Sequence, residues 1–155
     1  MTSNKIQSFK LEKHETKDTK NGQVNGSLTV IWRNWDKIIN LEPKMIYVSS
    51  IDPGEIKGPH LHTKRDSYFV CIHGKVVFII KDPSGKYLEI ESSEKEPNMI
   101  CVPKNFPSSH INLVDHRSTV LVLANLAWRP NDNEMLNVDF SDYDWKKWSK
   151  YLKNQ

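Results

Sequence analysis

Two histidines one residue apart, His60 and His62, stand in the stretch KGPHLHTKRDSYFVCIHGK at positions 57–75. Imidazole has an ordinary pKa near 6.5, so at neutral pH it both takes and gives protons, and its neutral form ligates metals. A His-x-His pair leading into a strand points both rings to one face, where they act on one object. If that strand lines a β-barrel, the object is a ligand or ion inside it. The other reading is two solvated rings at a loop end.

The elements that position this pair are strands. Runs rich in β-branched and aromatic residues recur at 27–33 (SLTVIWR), 45–51 (MIYVSSI), 67–72 (SYFVCI), 75–81 (KVVFIIK), 86–91 (KYLEIE), 98–103 (NMICVP) and 118–128 (STVLVLANLAW). Gly, Pro, Asn and Asp separate them, a pattern of many short strands. Only His73 and Gly74 lie between two of the runs, which predicts a two-residue hairpin with glycine at positive φ. KDPSGK at 81–86 predicts a second hairpin, and the two Asn-Gly pairs of TKNGQVNGS predict turn and edge structure near the N-terminus. One helix is expected, over SDYDWKKWSKYLKNQ at 141–155, capped by Ser141 or Asp142, with Tyr143, Trp148 and Tyr151 near helical spacing. The sum is an all-β sandwich or barrel with a short C-terminal helix.

A chain of 155 residues is the size of one domain, and a single domain over 1–155 is expected. The net charge, 22 − 19 = +3, is small and dispersed, so no nucleic-acid partner is expected. Cys71 and Cys101 sit in apolar runs and read as reduced buried thiols, which with the absence of a signal-like or membrane-length apolar stretch gives a soluble, cytoplasmic expectation with no membrane partner. Trp32 and Trp35 are expected to pack, and Trp145 and Trp148 to cover the barrel or meet a second subunit.

The same residues resemble the cupins. Gly54, the pair His60-Leu-His62 and Gly74 fall on the first cupin motif, with Ser67 where that motif has its Glu. In VPKNFPSSHIN, Pro103 falls on the second, with Asn105 for its Gly and Ser108 for its His. Two ligands out of the set imply a cupin-type jelly roll without a metal. A closer resemblance is to the metal-free cupins that rearrange nucleotide-linked 4-keto-6-deoxy sugars. GPH (58–60) is similar to the 3,5-epimerases of the dTDP-4-dehydrorhamnose type and GPHLHTK…VCIHG (58–74) to the sugar 3,4-ketoisomerases, while NGSLTVIW (25–32) is similar to both and the likeness continues through 102–134.

The resemblance implies an isomerase of a nucleotide-diphosphate sugar, an epimerase at C3, C5 or both, with a 3,4-ketoisomerase or a non-catalytic sugar-binding cupin as alternatives. It implies no cofactor, because a positioned base removes a proton beside a ketone once donors hold the enolate oxygen. His60 is then the base, His62 its partner in a shuttle, and Asp142 (or Asp139) the carboxylate that orients the histidine. Arg65, Lys75 and Arg129 are candidates for the diphosphate, Tyr47 for a sugar oxygen, and His110 and Trp128 for further substrate contacts. The epimerases place a Tyr as acid after the last core strand, where this chain has Trp128. A homodimer is implied by resemblance alone.

Overall fold

A computed structural model describes residues 4–39 and 42–153. Twelve strands occur in chain order: β1 Gln7–Lys10, β2 Glu12–Lys17, β3 Val24–Val30, β4 Met45–Ile51, β5 Ile56–His62, β6 Ser67–His73, β7 Lys75–Lys81, β8 Tyr87–Ser93, β9 Asn98–Val102, β10 Ser108–Asn112, β11 Ser118–Ala124 and β12 Met135–Asn137. A 3-10 helix follows at Trp145–Tyr151. β4 to β11 form an eight-stranded jelly roll of two facing antiparallel sheets. One sheet is ordered β1-β9-β6-β11-β4 and the other β12-β5-β10-β7-β8, while β2 and β3 pair as a separate hairpin.

The alternation of side chains along the strands fills three layers. Between the sheets lie Phe69, Cys71, Val76, Phe78, Ile80, Ile100, Val120 and Val122, with the Phe69 and Phe78 rings 4.9 Å apart. The opposite face of β7, Val77 and Ile79, packs with Ile111 of β10 under Phe140, Tyr143, Trp145 and Trp148 of the C-terminal segment. The opposite face of β6, Tyr68 and Val70, packs under Leu11, Trp32 and Ile39 of the N-terminal segment. Strands β6 and β7 are therefore buried on both sides, which is why they read as unbroken apolar runs. Burial of large side chains at this density makes truncation costly: Phe78→Ala is of the kind that loses about 3–5 kcal/mol.

Three expectations change. The segment His73–Gly74 is not a hairpin turn: β6 and β7 belong to different sheets, and Gly74, at φ +77, is the corner where the chain crosses from one to the other. A Cβ there would stand 2.3 Å from Ser118 Oγ, so only glycine fits. The C-terminal helix is a 3-10 turn capped by Asp144, whose carboxylate accepts from the Lys146 amide at 3.2 Å; neither Ser141 nor Asp142 caps it, and residues 154–155 lie outside the described residues. Trp35 does not pack, being 73% exposed. The KDPSGK turn does join β7 to β8, through the Asp82 and Lys86 backbone pair. Asn21-Gly22 lies in the β2–β3 turn, whereas Asn25-Gly26 falls inside β3. Among the described residues no helix is long and apolar enough to cross a membrane.

Candidate active site

The chain turns β5 into the site wall with a bulge. In its pairing with β10, His60 faces Ser108 and Lys57 faces His110, so three steps on β5 match two on β10. In a regular strand residues three apart point to opposite faces. The extra residue restores the parity, and Lys57, His60 and His62 all turn inward beside Ser108 and His110. Gly58, at φ +87, makes this possible: a Cβ there would lie 2.9 Å from the Ser108 carbonyl oxygen. The result is a cavity of about 170 Å³ between the sheets, closed on its far wall by Tyr47 and Ser49 of β4, Phe69 of β6 and Val120 and Val122 of β11.

The two histidines are held differently. His60 Nδ1 meets Asn137 Oδ1 at 3.1 Å. The amide oxygen only accepts, so it selects the tautomer with hydrogen on Nδ1 and the lone pair on Nε2. That Nε2 has no protein partner among the described residues. His62 has both nitrogens occupied: Nδ1–H donates to Glu134 Oε2 at 2.9 Å and Nε2 accepts from Arg65 Nη2 at 2.8 Å. Burial pulls the His62 pKa below its ordinary value, with the Arg65 charge acting the same way and the Glu134 bond opposing both. His62 is thus neutral and locked.

Glu134 is the residue the sequence did not offer. It is 3% exposed, and its other oxygen accepts from the Arg65 amide at 3.1 Å. It reaches the site because a tight loop closed by Asp132, which accepts from the Arg129 and Glu134 amides, turns the chain back into β12. β12 then pairs with β5, placing Asn137 opposite His60. A single carboxylate in a polar loop outside any motif gave no signal in the sequence.

Arg65 is itself buried, at 7% exposure. Its guanidinium lies over the Tyr47 ring at 5.7 Å, and its Nε has no partner. Burial raises the Tyr47 pKa, with Arg65 pulling against it. His110 stacks on Phe78 at 5.0 Å with its Nε2 sealed and unpartnered; burial, then the charges of Lys57 and His60, push its pKa down to about 3.

Of the residues read from sequence, the structure brings Tyr47, His60, His62, Arg65 and His110 to one cavity. It does not bring the others. Asp142 is bonded to Tyr87 and Lys81, which hold its carboxyl below the usual range, and neither site histidine is its partner. Asp139 is exposed. Lys75 pairs with Glu91 beside a different groove, and Trp128 (63% exposed) and Arg129 lie on the surface before the Asp132 loop. Cys71 and Cys101 are free and buried, their thiols pushed up to about 12, which leaves them without reactive thiolate at neutral pH. Among the described residues no three His, Cys, Asp or Glu side chains converge as a metal set, and His62 has no free nitrogen to join one.

A family model described as FdtA: WxcM-like, C-terminal, matches residues 5–144. The chain belongs to this WxcM-like family. The family match spans the jelly roll, the Glu134 loop and β12. No curated protein matches the sequence. Among solved structures, QdtA of Thermoanaerobacterium thermosaccharolyticum, a sugar 3,4-ketoisomerase in complex with TDP, is similar over 98% of this chain and 100% of its own, at 20% identity and a TM-score of 0.67. ChmJ of Streptomyces bikiniensis, a 3'-monoepimerase in complex with dTDP-quinovose, is similar over 88% of this chain and 71% of its own, at 15% identity and a TM-score of 0.71. CapF of Staphylococcus aureus, a capsular polysaccharide assembling protein, matches 64% of this chain at 20% identity and a TM-score of 0.60; the match spans 29% of CapF. These likenesses establish the cupin-type jelly roll.

Proposed function

We propose that the protein is an isomerase of a nucleotide-linked 4-keto-6-deoxy sugar, with His60 as the base that removes a proton beside the C4 ketone. The observation that carries the reading is the state of His60: one nitrogen held by Asn137, the other bare, in a cavity between two sheets. An imidazole so oriented is suited to take a proton from a bound substrate. Sites for drug-sized ligands run to about 300–1,000 Å³, so a cavity of about 170 Å³ takes the sugar and leaves the nucleotide outside. His62, pinned by Glu134, steadies Arg65, whose guanidinium lines the same cavity.

The family and the end-to-end likeness to QdtA favour 3,4-ketoisomerisation, in which the proton leaves C3 and returns on the same face to C4. A second reading, epimerisation, is favoured by Tyr47, which stands on the sheet opposite His60 and provides an acid for the other face of the ring. Homodimerisation belongs to the same proposal; it is supported by the edge strand β4, whose outward Ile46 and Val48 are 60% and 59% exposed. The test is deuterium wash-in from heavy water into a dTDP-linked 4-keto-6-deoxyhexose. Label entering with conversion to the 3-keto sugar identifies the ketoisomerase, and label at C5 the epimerase. His60→Asn should lower exchange by about 10²-fold or more. A wild-type protein that exchanges no such sugar refutes the proposal.

A further inference from the structure

We infer that Lys57 is the group that holds the ketone oxygen of the substrate and the negative charge that gathers there when His60 takes the neighbouring proton. The inference rests on the role proposed for His60. It starts from the bulge, which turns a side chain three residues before His60 onto the same wall of the cavity. The backbone meets a positive-φ glycine and a tight approach to β10 at this point, and the outcome is an ammonium group beside the base.

The second observation is how Lys57 is held. Its Nζ donates to Ser49 Oγ at 2.6 Å and to the Ser50 carbonyl oxygen at 3.1 Å, both on β4. An ammonium has three hydrogens, so one remains for a further acceptor. Both partners are neutral. Lys75, Lys81 and Arg117 are paired with Glu91, Asp142 and Asp52, whereas Lys57, on the cavity wall, has no carboxylate partner among the described residues. The third observation is the company it keeps: His110 beside it has a sealed, unpartnered Nε2, and the other cavity cation, Arg65, is committed to His62 and lies over Tyr47. Lys57 therefore lines the same cavity as the base with one open N–H and no carboxylate of its own among the described residues.

The step balances without another reactant. His60 Nε2 takes the proton, the C–H pair becomes the carbon–carbon double bond, and the carbonyl π pair moves onto oxygen, where Lys57 donates its free N–H. The charge returns when the carbon is reprotonated. A donor fixed before the reaction stabilises the oxyanion without reorganising, which is worth about 10²–10³ in rate for a single group.

The test compares wild type with Lys57→Met, which keeps the length and removes the charge, by deuterium wash-in into a dTDP-linked 4-keto-6-deoxyhexose and by calorimetric titration with dTDP. Saturated exchange should fall by about 10²–10³-fold with dTDP affinity unchanged, and added methylammonium should restore part of the rate in Lys57→Ala. If Lys57→Met does not fold, Lys57→Gln carries the same test. Exchange at the wild-type rate overturns the inference, as does a loss confined to dTDP affinity, which would make Lys57 a phosphate ligand. A wild-type protein inert toward every such sugar sinks the His60 reading and this inference with it.

Discussion

Protonating His110 inside the folded protein should be costly, and replacing it should remove a definite part of the acid sensitivity. The ring is half-buried, but its Nε2 is sealed, faces no acceptor, and stands near Lys57 and His60. The folded pKa of about 3 lies below the unfolded value near 6.5. Between these values the unfolded chain binds a proton that the folded one refuses, so stability falls as pH falls. With those two pKa values the loss from this one residue between pH 7 and pH 5 is about 2 kcal/mol, on the way to about 5 kcal/mol below pH 3. His110→Leu has nothing to protonate, retains an apolar contact with Phe78, and discards a nitrogen that was never satisfied. Urea unfolding followed by tryptophan fluorescence at pH 7 and pH 5 gives the difference. Wild type should lose about 2 kcal/mol more than His110→Leu across that interval. Equal losses in the two proteins would refute the claim that the sealed nitrogen excludes a proton.

Gly74→Ala forces a left-handed backbone on a residue with a Cβ and drives that Cβ to 2.3 Å from Ser118 Oγ; it should cost at least about 2 kcal/mol, and an unchanged melting temperature would contradict the corner geometry. Glu134→Gln should lower exchange by about 10-fold or more, the scale for removing an orienting partner, by loosening His62 and with it Arg65; kcat should drop with melting temperature little changed, and Glu134→Asp should recover part of it.

Most of the site wall was legible because it follows from strand parity. His60 and His62 share a face in any strand, and the runs around Phe69, Phe78 and Val120 announced the sheets that flank them. What was hidden depended on contacts between distant parts of the chain. The His73–Gly74 link looked like a hairpin, since two apolar runs and a glycine are common to hairpins and to sheet-crossing corners; only the pairing of β6 with β9 and β11, and of β7 with β8 and β10, separates them. Lys57 stands directly before Gly-Pro-His in the sequence, but its inward turn depends on the β10 register. Glu134 could not be told from the other acids near the C-terminus, and Asp142, a plausible orienting carboxylate by its position in the chain, went to Lys81 and Tyr87 instead.

The cladding of the second sheet by Phe140, Tyr143, Trp145 and Trp148 bears on how the protein is made. A ribosome delivers β7 and β10 long before it delivers that aromatic cover. During the interval the row Val77, Ile79 and Ile111 faces water as a flat, sticky surface. The nascent protein is therefore most exposed to aggregation when the strands that wall the cavity are already complete, and the segment around Phe140–Trp148 that follows them acts as their chaperone.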